Sequence, residues 1–387
     1  MSRVRLADGK RVIEGQLRDV SVSRWVWSRT RMEKDAMDMQ EAYRAGGASG
    51  RNLISRRVAL QAGAAAIAAS ALAAAGWTTG RAQEATPMPA QGTDSGEMID
   101  IGGRSIYYEA AGTGSPTVVL VAGGGSSARY WTDDLLHPDA PRQMVMPAVA
   151  EFTHVVAYDR PGTLAFIGEE LFPSRSDAIP QPRTTEDMVD ELHALLQAAE
   201  VPGPYVLAGH SQGGFVSRLY AATYPDEVIG LILVDSYSEL IEDLMPPEKW
   251  QALVQLNKEL SGDTIPEIPD YGQVETTVYG ASNEVVRAAV AASPLPPMPL
   301  AALGHGKPFP QSEDAPGFGP GELEAFLLAA NEGLAGLVPD GRFWLATESG
   351  HDIHQDQPEL VIEAIRQVVA GVRNPDTWSD LNFCCEE

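Results

Sequence analysis

Gly209-His210-Ser211-Gln212-Gly213 is the stretch of this 387-residue chain whose residue types and spacing carry chemistry most directly. It fits the pattern G-x-S-x-G between an apolar run, Tyr205 to Ala208, that reads as a strand and a run, Gln212 to Thr223, that reads as a helix. A serine on so sharp a turn takes a strained backbone conformation. Side chains two positions before and after it would obstruct that turn, which accounts for Gly209 and Gly213. The hydroxyl then stands clear of the strand as a nucleophile. The amide of Gln212, at the start of the helix, is placed to stabilise a developing oxyanion.

A serine hydroxyl is too weakly acidic to attack alone. A base must take its proton and later pass it to the leaving group, and a carboxylate must hold that base. Seven histidines are available. His351 follows a strand-like run, Arg342 to Ala346, and precedes a helix opened by Gln357-Pro358-Glu359-Leu360. His137, His154, His193, His210 and His305 read as structural or surface groups, with the His210 side chain directed away from the elbow. His351, His354 and Asp356 together match no recognised zinc spacing, and Gly123 to Ser127 lacks the lysine of a P-loop. Neither a metal nor a cofactor is expected.

These residues need a frame. Met98 to Ile101, Gly102-Gly103 and Ser105 to Ala110 read as a hairpin, followed by strands at Thr117 to Ala122, His154 to Tyr158, Tyr205 to Ala208 and Ile229 to Val234. Continuous apolar runs of this kind suit strands buried on both faces of a parallel sheet. Pro299 to Leu303 and Arg342 to Ala346 add two more strands, and Thr184 to Gln197, Gln212 to Thr223 and Glu359 to Val372 read as helices. The alternation predicts an α/β fold, a mostly parallel sheet flanked by helices. Between Val234 and Pro299 lies far more chain than such a connection needs, and Trp250, Leu253, Leu256 and Leu260 give it helical spacing. A helical lid is expected over residues 237–297.

In its order of strand, glycine loop, elbow, insertion and late histidine, the span from Met98 to Val372 resembles the α/β-hydrolase superfamily, esterase- and lipase-like branch. The resemblance makes His351 the general base. It gives the second oxyanion N–H to the loop Val121-Ala122-Gly123-Gly124-Gly125-Ser126, with Gly124 the donor beside Gln212 and Gly125 next in line. Many relatives carry a histidine where Ala122 stands. The acid comes after either of two strands in this superfamily, so Asp235 and the pair Glu313 and Asp314 are both candidates. The usual Gly-x-x-Asp turn is missing at Gly306-Lys307-Pro308-Phe309, which favours Asp235. Tyr158-Asp159-Arg160-Pro161-Gly162 matches a turn of the superfamily and reads as scaffold.

Charge and composition bound the partners. The chain carries 28 basic and 53 acidic residues, a net charge of -25. Residues 1–82 hold 14 of the basic and 7 of the acidic residues, so the rest is strongly acidic. Such a surface repels phosphate backbones and anionic lipids, which excludes nucleic acid. The two cysteines, Cys384 and Cys385, build neither a disulfide framework nor a zinc site. Ser55-Arg56-Arg57 leads into an alanine-rich run and Gly80-Arg81-Ala82, which resembles a twin-arginine export signal over residues 55–82. The apolar run is too short for a confident span, so no stable membrane span is expected in the mature form. The destination is periplasmic or extracellular, with membrane anchoring if the signal is not cleaved. Residues 1–54 form an N-terminal extension, 83–96 a linker, 97–373 the hydrolase domain and 374–387 a tail.

The expected reaction is hydrolysis of a carboxylic ester or related small acyl compound by Ser211, His351 and Asp235, with oxyanion donors Gly124 and Gln212. Serine at the elbow argues against epoxide hydrolases and haloalkane dehalogenases. Two other readings use the same frame: a ligand-binding protein with slow or no turnover, and a cofactor-free peroxidase on the same triad. Spacing identifies neither the substrate nor the oligomeric state.

Overall fold

The computed structural model describes residues 96–378, except 169, 262, 263, 311, 313 and 314. The N-terminal extension, the export signal, nearly all of the linker, and Glu313 and Asp314 lie outside the described residues. Among the described residues no helix is long and apolar enough to cross a membrane.

Eight strands form the main sheet: β1 Glu97–Asp100, β2 Ser105–Ala111, β3 Thr117–Val121, β4 His154–Tyr158, β5 Tyr205–His210, β6 Val228–Val234, β7 Leu300–His305 and β8 Arg342–Ala346. Their spatial order is β1-β2-β4-β3-β5-β6-β7-β8. β1 and β2 pair antiparallel, β2 meets β4 antiparallel, and every pairing from β4 through β8 is parallel. Alternate residues of the central strands feed two cores. Val119, Val121, Leu207, Leu231 and Leu233 belong to one, and Val118, Leu120, Val206, Ala208, Ile232 and Val234 to the other. Both faces are therefore covered, which is why these strands are continuous apolar runs rather than alternating ones.

The helices read from sequence form as α3 Thr185–Ala198, α4 Gln212–Thr223 and α10 Pro358–Arg373, after two short helices, α1 Arg129–Thr132 and α2 Val145–Val149. Thr184 and Asp187 close a capping box at the start of α3, and Pro358 occupies the first turn of α10, where its missing N–H costs no helical bond. Trp378, just past the span read as the hydrolase domain, is buried in the second core.

The insertion after β6 is helical at its ends, with α5 Leu240–Leu244, α6 Pro247–Ser261 and α7 Tyr279–Ala292. Its middle is extended. Glu267–Ile268 pairs with Gly272–Gln273, and Ile268 and Val274 pack with Leu164 in a small apolar cluster. Pro266 and Pro269 in this stretch remove backbone donors and disfavour a continuing helix. A further helix, α8 Glu322–Leu334, joins β7 to β8, and a short helix α9, Ile353–Asp356, precedes α10. β7 itself runs to His305, two residues beyond the sequence reading. Gly304 looks like a strand break, but it is the position where a side chain would meet the Phe343 ring at 3.0 Å.

Candidate active site

The carboxyl ends of β3, β5, β6, β7 and β8 stand side by side, with Val121 opposite Gly209, His210 opposite Val234, Leu303 opposite Val234 and His305 opposite Ala346. The loops leaving these ends carry the candidate residues. This is where an open α/β sheet offers a crevice.

Ser211 sits between β5 and α4 at φ 51° and ψ -120°, a left-handed conformation rarely adopted by a side-chain-bearing residue. The flanking glycines permit it. A Cβ at Gly209 would come within 2.3 Å of the Gly213 carbonyl oxygen, and one at Gly213 within 2.1 Å of the Val121 oxygen. Gln212 is the first residue of α4, so its N–H has no acceptor within the helix. The Gln212 side chain is held by Tyr279 of α7, whose hydroxyl donates to Oε1 at 2.8 Å.

Asp235 follows β6 with φ at 41°, its N–H bonded to the Leu303 carbonyl at 2.7 Å. Its Oδ2 lies 2.5 Å from Nδ1 of His351, in the loop after β8. Ser211, Asp235 and His351 line one open cavity of about 280 Å³ together with Ser236, Tyr237, Ile241, His305, Phe309, Leu327 and Asn331. Gly124 is partly exposed between buried Gly123 and Gly125. The carbonyl of Gly123 accepts from Arg160 Nη2 at 2.5 Å, and across a trans peptide the N–H of Gly124 points the opposite way. Gly125 differs, because its N–H donates to Glu275 Oε2 at 2.8 Å.

Asp235 has a second histidine. His305, set aside in the sequence reading, is buried with Nδ1 at 2.8 Å from both Asp235 oxygens and Nε2 at 2.8 Å from Glu324 Oε2. Burial disfavours its charge, but Asp235 and Glu324 outweigh burial and raise it to about 10. Burial likewise pushes Asp235 up, and His305 and His351 overcome it, holding the carboxyl well below the usual range. Asn331 of α8 adds a donor to Asp235 Oδ1 at 3.1 Å.

His210 packs against His351, its Nε2 3.1 Å from the His351 carbonyl oxygen and its ring 4.4 Å from the His351 ring. Burial and the neighbouring histidines hold His210 well below its ordinary value, and burial with His351 pushes His354 down to about 3. Both rings are neutral and pack around the loop that carries His351. Histidine and carboxylate atoms do gather within 4.8 Å at His210, Asp352 and His354. There, the His210 nitrogen that faces Asp352 at 3.7 Å is engaged by the carbonyl, and the His354 ring packs 4.5 Å from Trp131.

Residues 118–364, more than half of the chain, match the model of the alpha/beta hydrolase family. The chain belongs to that family. Among individual relatives, a RutD protein of Yersinia enterocolitica that bears a carbamate hydrolase name is 32% identical over 138 residues, covering 35% of this chain and 42% of that protein. A Hormonema carpetanum protein that bears a transporter name, efuK, is 28% identical over 168 residues, 41% of this chain and 21% of that protein. The chain spans less than half the length of these curated relatives. Among solved structures, Cfl2 of Burkholderia cenocepacia is 18% identical, with coverage of 71% and 95% of the two chains and a TM-score of 0.47. A thermophilic esterase of Thermogutta terrifontis is 21% identical, with coverage of 72% and 98% and a TM-score of 0.43.

His305, Glu324, Asn331 and Glu275 are the residues around the site that sequence reasoning missed, while Arg160, read as scaffold, anchors the glycine loop. Leu323, Leu327, Ala330 and Leu334 recur at helical spacing, and that apolar signal could have found α8, which carries Glu324 and Asn331.

Proposed function

We propose that this alpha/beta hydrolase is a serine hydrolase that cleaves carboxylic esters or related acyl compounds through an acyl-enzyme. The observation that carries the reading is the 2.5 Å contact between Asp235 and His351 Nδ1, beside an elbow serine held at positive φ in the same cavity. Asp235 fixes the tautomer that leaves His351 Nε2 as the base. Nε2 takes the Ser211 proton as Oγ attacks the acyl carbon. The N–H groups of Gly124 and Gln212 hold the oxyanion. The leaving alcohol departs with the proton from His351, and water then attacks the Ser211 ester by the same route in reverse.

Tyr237, Ile241, Phe309 and Leu327 contribute apolar surface to the cavity lining, which suits an apolar acyl group beside Ser211. The likeness to RutD adds carbamates to the substrates worth testing. The test is a panel of nitrophenyl esters of increasing acyl length and nitrophenyl carbamates, with Ser211→Ala as control. Turnover by the wild type and none by Ser211→Ala supports the reading. Equal turnover by both removes Ser211 from the chemistry.

Export completes the proposal. The basic, acid-free stretch from Ala42 to Gln83, with its arginine pair and alanine run, supports delivery across a membrane by the twin-arginine route.

A further inference from the structure

Two histidines share one carboxylate in this site. Asp235 Oδ1 receives the His305 N–H at 3.3 Å, His305 Nδ1 at 2.8 Å and Asn331 Nδ2 at 3.1 Å. Oδ2 receives His305 Nδ1 at 2.8 Å and His351 Nδ1 at 2.5 Å. The far nitrogen of His305 meets Glu324 Oε2 at 2.8 Å, while Glu324 Oε1 is anchored by the Phe309 N–H at 2.8 Å. An ionised carboxylate only accepts hydrogen bonds, so both ring nitrogens of His305 carry hydrogen and the ring is a cation. Charges therefore alternate through buried space: Glu324 negative, His305 positive, Asp235 negative, then His351.

We propose that His305 is a positioning residue of the hydrolytic site: a fixed cation that shares the Asp235 carboxylate with His351 and weakens the hold of Asp235 on that ring. The inference rests on the serine hydrolase reading. An aspartate that serves one imidazole gives its full field to the imidazolium formed during turnover. Here the same carboxylate already neutralises a second cation at hydrogen-bond distance. Coulomb attraction in a buried site is large enough for this sharing to matter.

The other groups facing the two rings do not supply that charge. His210 and His354, packed near His351, are held neutral by burial. Asp352 is directed at His210, 3.7 Å from its Nε2. Phe309 lies edge-on to His305, with ring centres 4.7 Å apart, and 5.2 Å from the His351 ring. Lys307 faces outward toward Glu348. Glu324 is the only anion besides Asp235 bonded to His305 among the described residues.

Two substitutions separate charge from bracing. His305→Asn keeps an N–H near the position of Nδ1 and removes the cation. Glu324→Gln keeps an acceptor for Nε2 and removes an anion, while Asp235 continues to hold His305 charged. The acid limb of kcat/KM reports the free enzyme's base. In His305→Asn it moves up by about one pH unit, and in Glu324→Gln it moves down by a smaller amount. Ring-nitrogen NMR of the wild type shows His305 doubly protonated through neutral pH, independently of turnover. A brace without charge leaves both limbs in place or moves them the same way, and a neutral His305 at pH 7 overturns the proposal directly. If His305→Asn fails to fold, Glu324→Gln and the NMR signal still decide it. Wild-type enzyme with no ester or carbamate turnover sinks the hydrolase reading and this role with it. Turnover with unmoved limbs sinks the role alone.

Discussion

Arg160 and Glu275 form a buried two-pronged ion pair, Nε to Oε1 at 2.7 Å and Nη2 to Oε2 at 2.9 Å, and together they grip the glycine loop. The guanidinium also donates to the carbonyls of Ala122 and Gly123, and the carboxylate accepts the N–H of Gly125. One residue comes from the turn after β4 and the other from the insertion after β6. Loop geometry beside Ser211 is thus set by a contact between scaffold and insertion.

Glu275→Gln leaves the Arg160 charge buried without its partner. Breaking a buried pair from one side costs about 3–5 kcal/mol. The denaturant midpoint is expected to fall accordingly, and ester turnover in the surviving folded enzyme falls with it as the loop loosens. A midpoint within about 0.5 kcal/mol of wild type contradicts the clamp.

Stability should depend on pH through the buried charges around Asp235. His305 is raised from its ordinary 6.5 to about 10, so its contribution is full below pH 6.5 and is lost as pH rises through about 10. Asp235 and Glu324 are lowered from 3.8 and 4.5, so theirs is present above those values and lost as pH falls through the depressed ones. Chemical denaturation between pH 3 and 10.5 should show a plateau with a decline on each side. His305→Asn should flatten the alkaline decline, and an unchanged decline assigns it to other groups.

Asp235→Asn presents an amide to four donor groups: the backbone N–H and Nδ1 of His305, Asn331 Nδ2 and His351 Nδ1. At least one hydrogen-bond contact becomes donor against donor, and the tautomer of His351 is no longer fixed. A fall in kcat of about ten-thousandfold is expected, with folding tested separately by circular dichroism. Activity within tenfold of wild type moves the acid elsewhere.

The sheet and the elbow were legible because their signals are local. β3 through β6 are short apolar runs buried on both faces, and Ser211 announces itself within five residues. His305 was not legible, since its role comes from Asp235, 70 residues earlier, and from Glu324 on a helix that was not read. Gly304 also masked the end of β7. Glu275 lies 115 residues from Arg160 and carries no motif of its own. Gly125, read as the next oxyanion donor after Gly124, is committed to that same distant carboxylate. In each case the missing information is a long-range pairing, which spacing along the chain does not encode.

Export is tested by replacing Arg56 and Arg57 with lysine in the full chain. Retention of the uncleaved protein inside the cell is expected, because a twin-arginine address is read by a receptor rather than by hydrophobicity. Unchanged export assigns delivery to another route.

The most direct test of the central claim is fluorophosphonate labelling of the full chain, followed by peptide mass spectrometry, in the wild type and in His351→Ala. Covalent capture needs an activated serine. The account predicts one modified residue, Ser211, with labelling slowed by orders of magnitude in His351→Ala. A folded wild type that takes no label, takes it on another residue, or labels as fast without His351 contradicts the account.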